Sequence, residues 1–194
     1  MMKRFALCLL AGGLSLSGVN AVAQEVVHVT TGTVRHVNPQ NGMIIVKTDD
    51  GSGGMFKGAQ GKVDNSMDKA LVAEAVPADK FTATGATATG DQVIVFYFGD
   101  DVVRTAVAVD DLGKGPFETS TGTVTKFDHS EHLLTIKDSS GAEATFHIVA
   151  NTVADTTTGA VEGFKYGAKK GDKVRITAAP GSGGETALLI VPAA

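Results

Sequence analysis

The chain has 194 residues, of which 43% are hydrophobic, 21 are acidic and 17 are basic, and it contains one cysteine. This hydrophobic content excludes a disordered chain, and the length accommodates one or two small domains. The acidic balance disfavours nucleic acids and anionic lipid surfaces as partners.

The first 23 residues have the pattern of a cleavable secretory signal peptide. Lys3 and Arg4 supply a positive start, residues 5–19 are mostly apolar, and Ala-Val-Ala at 21–23 is a small-x-small cleavage pattern. The apolar run is too short to cross a membrane as a helix. We therefore expect cleavage near Ala23 and Gln24, giving a periplasmic or secreted protein that is not inserted in the membrane.

Cleavage changes the chemistry that the mature chain can perform. It removes the only cysteine, Cys8, which excludes disulfides, thiolate metal sites and a cysteine nucleophile. Loss of Lys3 and Arg4 reduces the 17 basic residues to 15 against 21 acidic ones, so the net charge goes from −4 to −6.

An internal repeat divides the mature chain. Thr-Gly-Thr-Val at 31–34 recurs ninety positions later at 121–124, and Gly-Asp-x-Val at 90–93 recurs at 171–174. Such self-similarity indicates homologous units, and a polar segment containing Gly and Pro indicates a linker. We predict a first module at 25–110, a linker at 111–118 and a second module at 119–192.

Each module is predicted to contain five short strands, because runs rich in Val, Ile, Phe and Thr are bounded by turn residues. In chain order the runs lie at 26–37, 43–49, 54–58, 91–98 and 102–109, and then at 120–127, 133–138, 143–149, 172–178 and 185–191. Ser66 predicts the start of a short helix over 67–75 in the first module. The equivalent segment 151–163 is too rich in Thr and Gly to predict a helix.

Alternation along the strands predicts which side chains face the core. One set points inward and consists of Ile44, Val46, Leu134, Ile136, Phe146 and Ile148. Phe96 and Phe98 are predicted to be buried together, which leaves Tyr97 outward. Gly32 and Gly122 lie inside the first strand of each module, where the apolar phase changes, and predict a bulge or sharp bend.

Three strands, a helix or loop and two more strands is the order of an OB-type barrel. The repeated Thr-Gly-Thr-Val and Gly-Asp-x-Val motifs and the turn glycines Gly51 and Gly141 resemble those of exported bacterial OB-like repeat domains of unknown function. The resemblance implies an all-β chain with a small helical insert, folded as two tandem OB-like five-stranded barrels. A weaker resemblance to small periplasmic copper carriers lacks their ligands, because the chain has no Trp and no Met-x-Met.

The segment 128–132, Asp-His-Ser-Glu-His, lies at the predicted turn between the first two strands of the second module. His129, Glu131 and His132 offer the nitrogen and oxygen ligands of a weak Zn²⁺ or Cu²⁺ site. The matching turn 38–42 of the first module has no such ligands, and loop composition favours a solvated polar turn over a metal site. Both interpretations stay open, and no other cofactor is predicted.

The remaining polar residues favour structural roles. His28, His36 and His147 are isolated on predicted strands, and three Asp-Asp pairs, at 49–50, 100–101 and 110–111, lack the spacing of a calcium loop. The chain also lacks the sequence motifs of nucleophilic and metal-dependent hydrolases and of phosphate loops. We therefore predict that the protein is not an enzyme.

Three functions are consistent with these features. The first is a non-enzymatic binding or structural protein of the cell envelope whose partner is a protein or a glycan. The second is binding or sequestration of a transition metal through His129, Glu131 and His132. The third is a self-assembling envelope or matrix component, since exposed strand edges can pair between copies.

Overall fold

A computed structural model describes residues 25–60, 71, 75–77, 80 and 87–193. The predicted signal peptide at 1–23 and most of the predicted helix over 67–75 lie outside these residues. Within the described part of the chain, no helix has the length and apolar character needed to cross a membrane.

The first module is a closed barrel of five strands. Neighbouring strands pair antiparallel except for one parallel pair, and a short additional strand pairs with the last one. Its elements are β1 (His28–Asn38), β2 (Met43–Thr48), β3 (Gly53–Gly58), the short β4 (Val76–Pro77), β5 (Gln92–Phe98) and β6 (Val103–Gly113). The strands follow the order β3-β2-β1-β5-β6, and parallel pairing of β3 with β6 closes the barrel. This is the strand order of an OB-type barrel.

The second module repeats that topology. Its elements are β7 (Glu118–Asp128), β8 (Leu133–Lys137), β9 (Glu143–Thr156), β10 (Gly159–Glu162), a 3₁₀ helix (Gly163–Lys165), β11 (Lys173–Gly181) and β12 (Gly184–Pro192). The order is β9-β12-β11-β7-β8, and β8 pairs with β9 to close the barrel. Two OB-like barrels in tandem confirm the predicted fold class.

The segment 151–163 forms a β-hairpin. The sequence predicted that the third strand ends at 149, whereas β9 continues to Thr156 and pairs with β10. Thr152 stabilises the extension, because its hydroxyl donates a hydrogen bond of 2.6 Å to the Ala187 carbonyl oxygen. The side chain of Val153 is buried in this extension, at 4% exposure. The local sequence did not predict this burial.

Each barrel has its own apolar core, and the residues that alternation predicted to face inward belong to it. Ile44, Val46 and Phe56 belong to the core of the first barrel. Leu134, Ile136, Phe146 and Ile148 belong to the core of the second barrel, while Glu143 and Thr145 are exposed. The predicted inward faces of these strands are therefore confirmed.

The first strand of each barrel crosses its neighbour very closely at a glycine. A Cβ atom on Gly32 would collide with the Lys47 carbonyl oxygen, and one on Gly122 would lie 2.7 Å from the Lys137 carbonyl oxygen. The register shifts of these strands come slightly later, between Val34 and His36 and between Val124 and Lys126. The glycines thus permit a close approach, and the predicted bulge lies beyond them.

A third apolar cluster lies between the two barrels. It contains Val27, Val29, Ile94, Phe96 and Ala108 from the first module and Val153 and Leu189 from the second. The prediction that Phe96 and Phe98 are buried together and leave Tyr97 outward is wrong, and Phe98 is only partly buried. Tyr97 packs edge-on against Phe56 in the barrel, with ring centroids 5.4 Å apart, while Phe96 faces the second module and is buried there.

Polar contacts also join the modules. The Asp49 carboxylate accepts hydrogen bonds from Thr177 Oγ1 at 2.8 Å and Thr119 Oγ1 at 3.2 Å. The Ala160 amide donates to the Val27 carbonyl oxygen at 2.7 Å, which brings the start of the first module against β10. The covalent connection between β6 and β7 runs through residues 114–117, inside the predicted linker.

Candidate functional site

The predicted metal-binding segment is the turn between β7 and β8. The Asp128 carboxylate accepts hydrogen bonds from the Ser130 amide at 3.1 Å and the Ser130 hydroxyl at 2.7 Å. It also pairs with Lys126 Nζ at 2.8 Å. These hydrogen bonds, from Lys126 first and then from Ser130, hold the pKa of Asp128 well below its usual range. The aspartate therefore remains ionised and shapes the turn.

The two histidines of this turn each contact a phenylalanine. The His129 ring centroid lies 4.1 Å from that of Phe127, and the His132 ring centroid lies 4.5 Å from that of Phe164. Among the residues that the structure describes, no three His, Asp or Glu side chains are grouped as metal ligands. The role of His129, Glu131 and His132 as metal ligands stays a prediction.

Two of the three histidines predicted on strands, His28 and His147, have structural partners, whereas His36 is exposed. His28 Nδ1 lies 3.1 Å from Asp155 Oδ1, which joins β1 to β9 across the two modules. His147 Nε2 lies 2.9 Å from the Gly183 carbonyl oxygen and fastens the β11–β12 turn. Both contacts join segments far apart in sequence.

A groove lies on the outer face of the first barrel. Its floor is formed by Ile45 of β2 and Gly53 and Met55 of β3, and its volume is about 450 Å³. Val102 of the β5–β6 loop forms one edge and is 79% exposed. The next residue, Val103 at the start of β6, is 42% exposed. Together, the side chains of the floor and the edge form an apolar surface that faces solvent.

Charged side chains border the groove. Asp100 and Asp101 are exposed on the β5–β6 loop, and Arg104 follows at the start of β6. The Arg104 guanidinium carbon lies 5.0 Å from the Tyr97 ring centroid and 5.8 Å from that of Phe56, within the range of a cation–π contact. Burial raises the pKa of Tyr97, so the ring that supports Arg104 stays neutral. The Arg104 guanidinium is thereby held beside the groove.

The equivalent face of the second barrel is polar. At the positions of Ile45 and Met55 it carries Thr135 and Thr145, whose hydroxyl oxygens lie 3.0 Å apart in a hydrogen bond. Glycine replaces both Val102 and Val103, at 183 and 184. The two barrels therefore share a fold and differ in the chemistry of this surface.

Sequence reasoning did not identify the groove, although the repeat contains a signal for it. Ile45 and Met55 occupy outward positions of their strands, between the inward Ile44, Val46 and Phe56. Apolar residues in outward positions that are polar in the second copy indicate an interaction surface. The contribution of Val102, which comes from a separate loop, depends on the folded barrel.

No family model matches the sequence, and a search of curated proteins finds no significant match.

Proposed function

We propose that the protein is an exported, non-enzymatic binding protein that holds a segment of a cell-envelope partner in the groove of the first barrel. We further propose that it is a tandem form of the exported OB-like repeat domains that its motifs resemble. The exposed apolar groove is the observation that carries the function. Contiguous exposed apolar surface with a polar rim is typical of interaction sites.

Comparison with the second barrel favours a functional reason for the apolar residues of the groove. It closes with the same strand order while carrying Thr135, Thr145 and two glycines at the equivalent positions. Folding therefore does not require Ile45, Met55 or the two valines to be apolar. Their retention in one module favours contact with another molecule.

The place of the groove in the barrel agrees with this proposal. OB-type barrels commonly bind ligands on the face of their second and third strands and on the neighbouring loops. The groove is formed by β2, β3 and the β5–β6 loop, which correspond to those elements. Because OB-type barrels bind many kinds of ligand at this position, the chemistry of the groove itself decides what is bound.

Charge on the rim favours a protein segment that combines apolar and basic side chains. The rim carries two carboxylates, Asp100 and Asp101, against the one guanidinium of Arg104. This excess of negative charge attracts Lys or Arg of a partner and disfavours a symmetric contact with a second copy. The apolar floor accommodates aliphatic or aromatic side chains next to those charges. We therefore assign the groove to an apolar, basic segment of a partner protein.

The double variant Ile45→Thr/Met55→Thr tests the proposal by copying the polar face of the second barrel. We expect it to keep the melting temperature of the wild type and to reduce capture of the envelope partner at least roughly tenfold. Capture is quantified by mass spectrometry from envelope extract. A synthetic peptide of the captured segment is then titrated while the Met55 methyl resonance is observed by NMR.

Thr135→Ala/Thr145→Ala is the matched control, because it alters the same face of the second barrel. It should leave capture and peptide binding unchanged. Equal capture by the wild type and the Ile45→Thr/Met55→Thr variant, or a Met55 methyl that does not respond to the peptide, would overturn the assignment.

A further inference from the structure

The turn between β7 and β8 contains a residue in a rarely adopted conformation. His132 has a φ of 55°. Among the residues that the structure describes, it is the only non-glycine residue with a positive φ. L-residues adopt this left-handed region at an energetic cost that glycine avoids. Residues held in such a conformation are often found at functional sites.

The first barrel shows that the turn itself does not need a histidine. Gly42 occupies the position equivalent to His132 and has nearly the same conformation, with a φ of 64°. The same type of turn therefore forms with glycine, which lacks the unfavourable contact of a Cβ atom. The imidazole of His132 is an addition of the second barrel.

The added imidazole lies against an exposed aromatic ring. The His132 and Phe164 ring centroids are 4.5 Å apart, and the rings are tilted by 44°. Phe164 is 38% exposed on the 3₁₀ helix that follows β10. Gly163 fixes this helix closely on the barrel, because a Cβ atom there would lie 2.7 Å from Thr152. The ring is thus presented from a firmly packed segment.

A second pair of rings borders the same turn. The exposed His129 ring lies 4.1 Å from Phe127, which is half-buried at the end of β7. In the first barrel the positions of Phe127, His129 and His132 are Val37, Pro39 and Gly42, so the turn there carries no ring of these kinds. The rings at these three positions are specific to the second barrel.

We propose that the two ring pairs beside this turn, Phe127 with His129 and His132 with Phe164, bind a neutral carbohydrate. Flat apolar ring faces complement the C–H faces of a pyranose, and imidazole nitrogens donate or accept hydrogen bonds with its hydroxyl groups. The exposed Glu131 carboxylate adds an acceptor for hydroxyl groups.

The charge and rigidity of the turn fit this class of ligand. Two carboxylates, Asp128 and Glu131, outnumber the one ammonium group of Lys126 beside the rings, which disfavours phosphate-bearing ligands and nucleic acids. Three hydrogen bonds from the backbone and side chain of residues 130–131 to Asp128 hold the turn in one conformation. A preorganised turn lowers the ordering entropy that is lost on binding.

Titration of the full mature chain with neutral tetrasaccharides tests this inference. Chitotetraose, cellotetraose and maltotetraose are the probes, and binding is followed by NMR of the histidine and phenylalanine ring resonances. We expect at least one probe to bind with a Kd in the range of about 0.1–5 mM. Phe164→Ala and His132→Gly should each weaken that binding at least fivefold.

His132→Gly separates a binding role from a packing role because it restores the residue used by the first barrel. A binding role predicts an equal or higher melting temperature together with weaker sugar binding. The groove variant Ile45→Thr/Met55→Thr should bind the sugar like the wild type. The test of this sugar site is therefore independent of the test of the proposed peptide groove. Absence of binding for all three sugars at about 10 mM, or affinity unchanged in both ring variants, would overturn the inference.

Discussion

At the scale of single residues, the crossing of the first two strands depends on the missing side chain of Gly32. Its backbone lies so near the Lys47 carbonyl oxygen that no Cβ atom fits. Gly122 reproduces this contact in the second barrel, which explains why the motif Thr-Gly-Thr-Val is repeated. The glycine is a packing requirement of the crossing, and it does not need a positive φ.

We expect Gly32→Ala to destabilise the first barrel by about 2–4 kcal/mol, because the new methyl group must displace a strand that pairs on both sides. Gly53→Ala is the matched control. A Cβ atom there meets no atom within 4 Å, so its effect should be neutral or slightly stabilising. Urea unfolding at neutral pH measures both, and a Gly32→Ala variant as stable as Gly53→Ala would contradict the steric argument.

At the scale of elements, the junction of β1 and β9 contains a partly buried carboxylate. Asp155 is 18% exposed in its side chain and lies 3.1 Å from His28 Nδ1. Burial raises the pKa of Asp155 above its usual 3.8, and the charge of His28 opposes that shift in part. The folded state therefore retains the proton of Asp155 to higher pH than the unfolded state does.

This difference makes the contribution of Asp155 to stability decrease with pH. It is largest below 3.8 and is lost as the pH rises through the raised pKa of the folded state. Asp155→Asn cannot ionise but keeps an acceptor for the His28 ring. The stability of this variant relative to the wild type should therefore increase between pH values of about 4 and 6.

Urea midpoints at pH values between about 3.5 and 7 measure this dependence. Asp100→Asn, which changes an exposed carboxylate on the β5–β6 loop, is the control and should follow the wild type. A constant difference between Asp155→Asn and the wild type over the whole range would contradict the proposed linkage.

At the scale of the whole molecule, the third apolar cluster joins the barrels into one packed unit. Ile94 and Phe96 lie on the side of β5 that faces away from the first core, and they pack with Val153 and Leu189 of the second module. Each barrel has a separate core of its own. The strength of the junction can therefore be changed without emptying either barrel.

Phe96→Ala should leave a cavity between the barrels and reduce their mutual stabilisation by about 3–5 kcal/mol. We expect calorimetry to show one unfolding transition for the wild type and two for the variant, because the barrels then unfold separately. Phe56→Ala is the comparison, since it empties the first core and should lower the stability of that barrel itself. A single transition in the Phe96→Ala variant would show that the cluster does not couple the modules.

The candidate sites also depend on the whole molecule. The sequence identified the turn with His129 and His132 through its composition. The contact of His132 with Phe164 brings together residues 32 positions apart, and it arises only when the 3₁₀ helix packs on the barrel. The groove likewise combines β2 and β3 with a loop some fifty residues further along the chain.

Local sequence patterns were sufficient to predict ten strands, the two barrels in tandem and the inward faces of β2, β8 and β9, because alternation and turn glycines act over a few neighbouring residues. They did not predict the hairpin of β9 and β10. The folded structure alone shows that Tyr97 faces its own barrel and Phe96 faces the other one, because both sides of β5 are covered. It also decided which rings meet at the β7–β8 turn and which apolar side chains stay exposed. These properties depend on packing between distant segments, which no local pattern encodes.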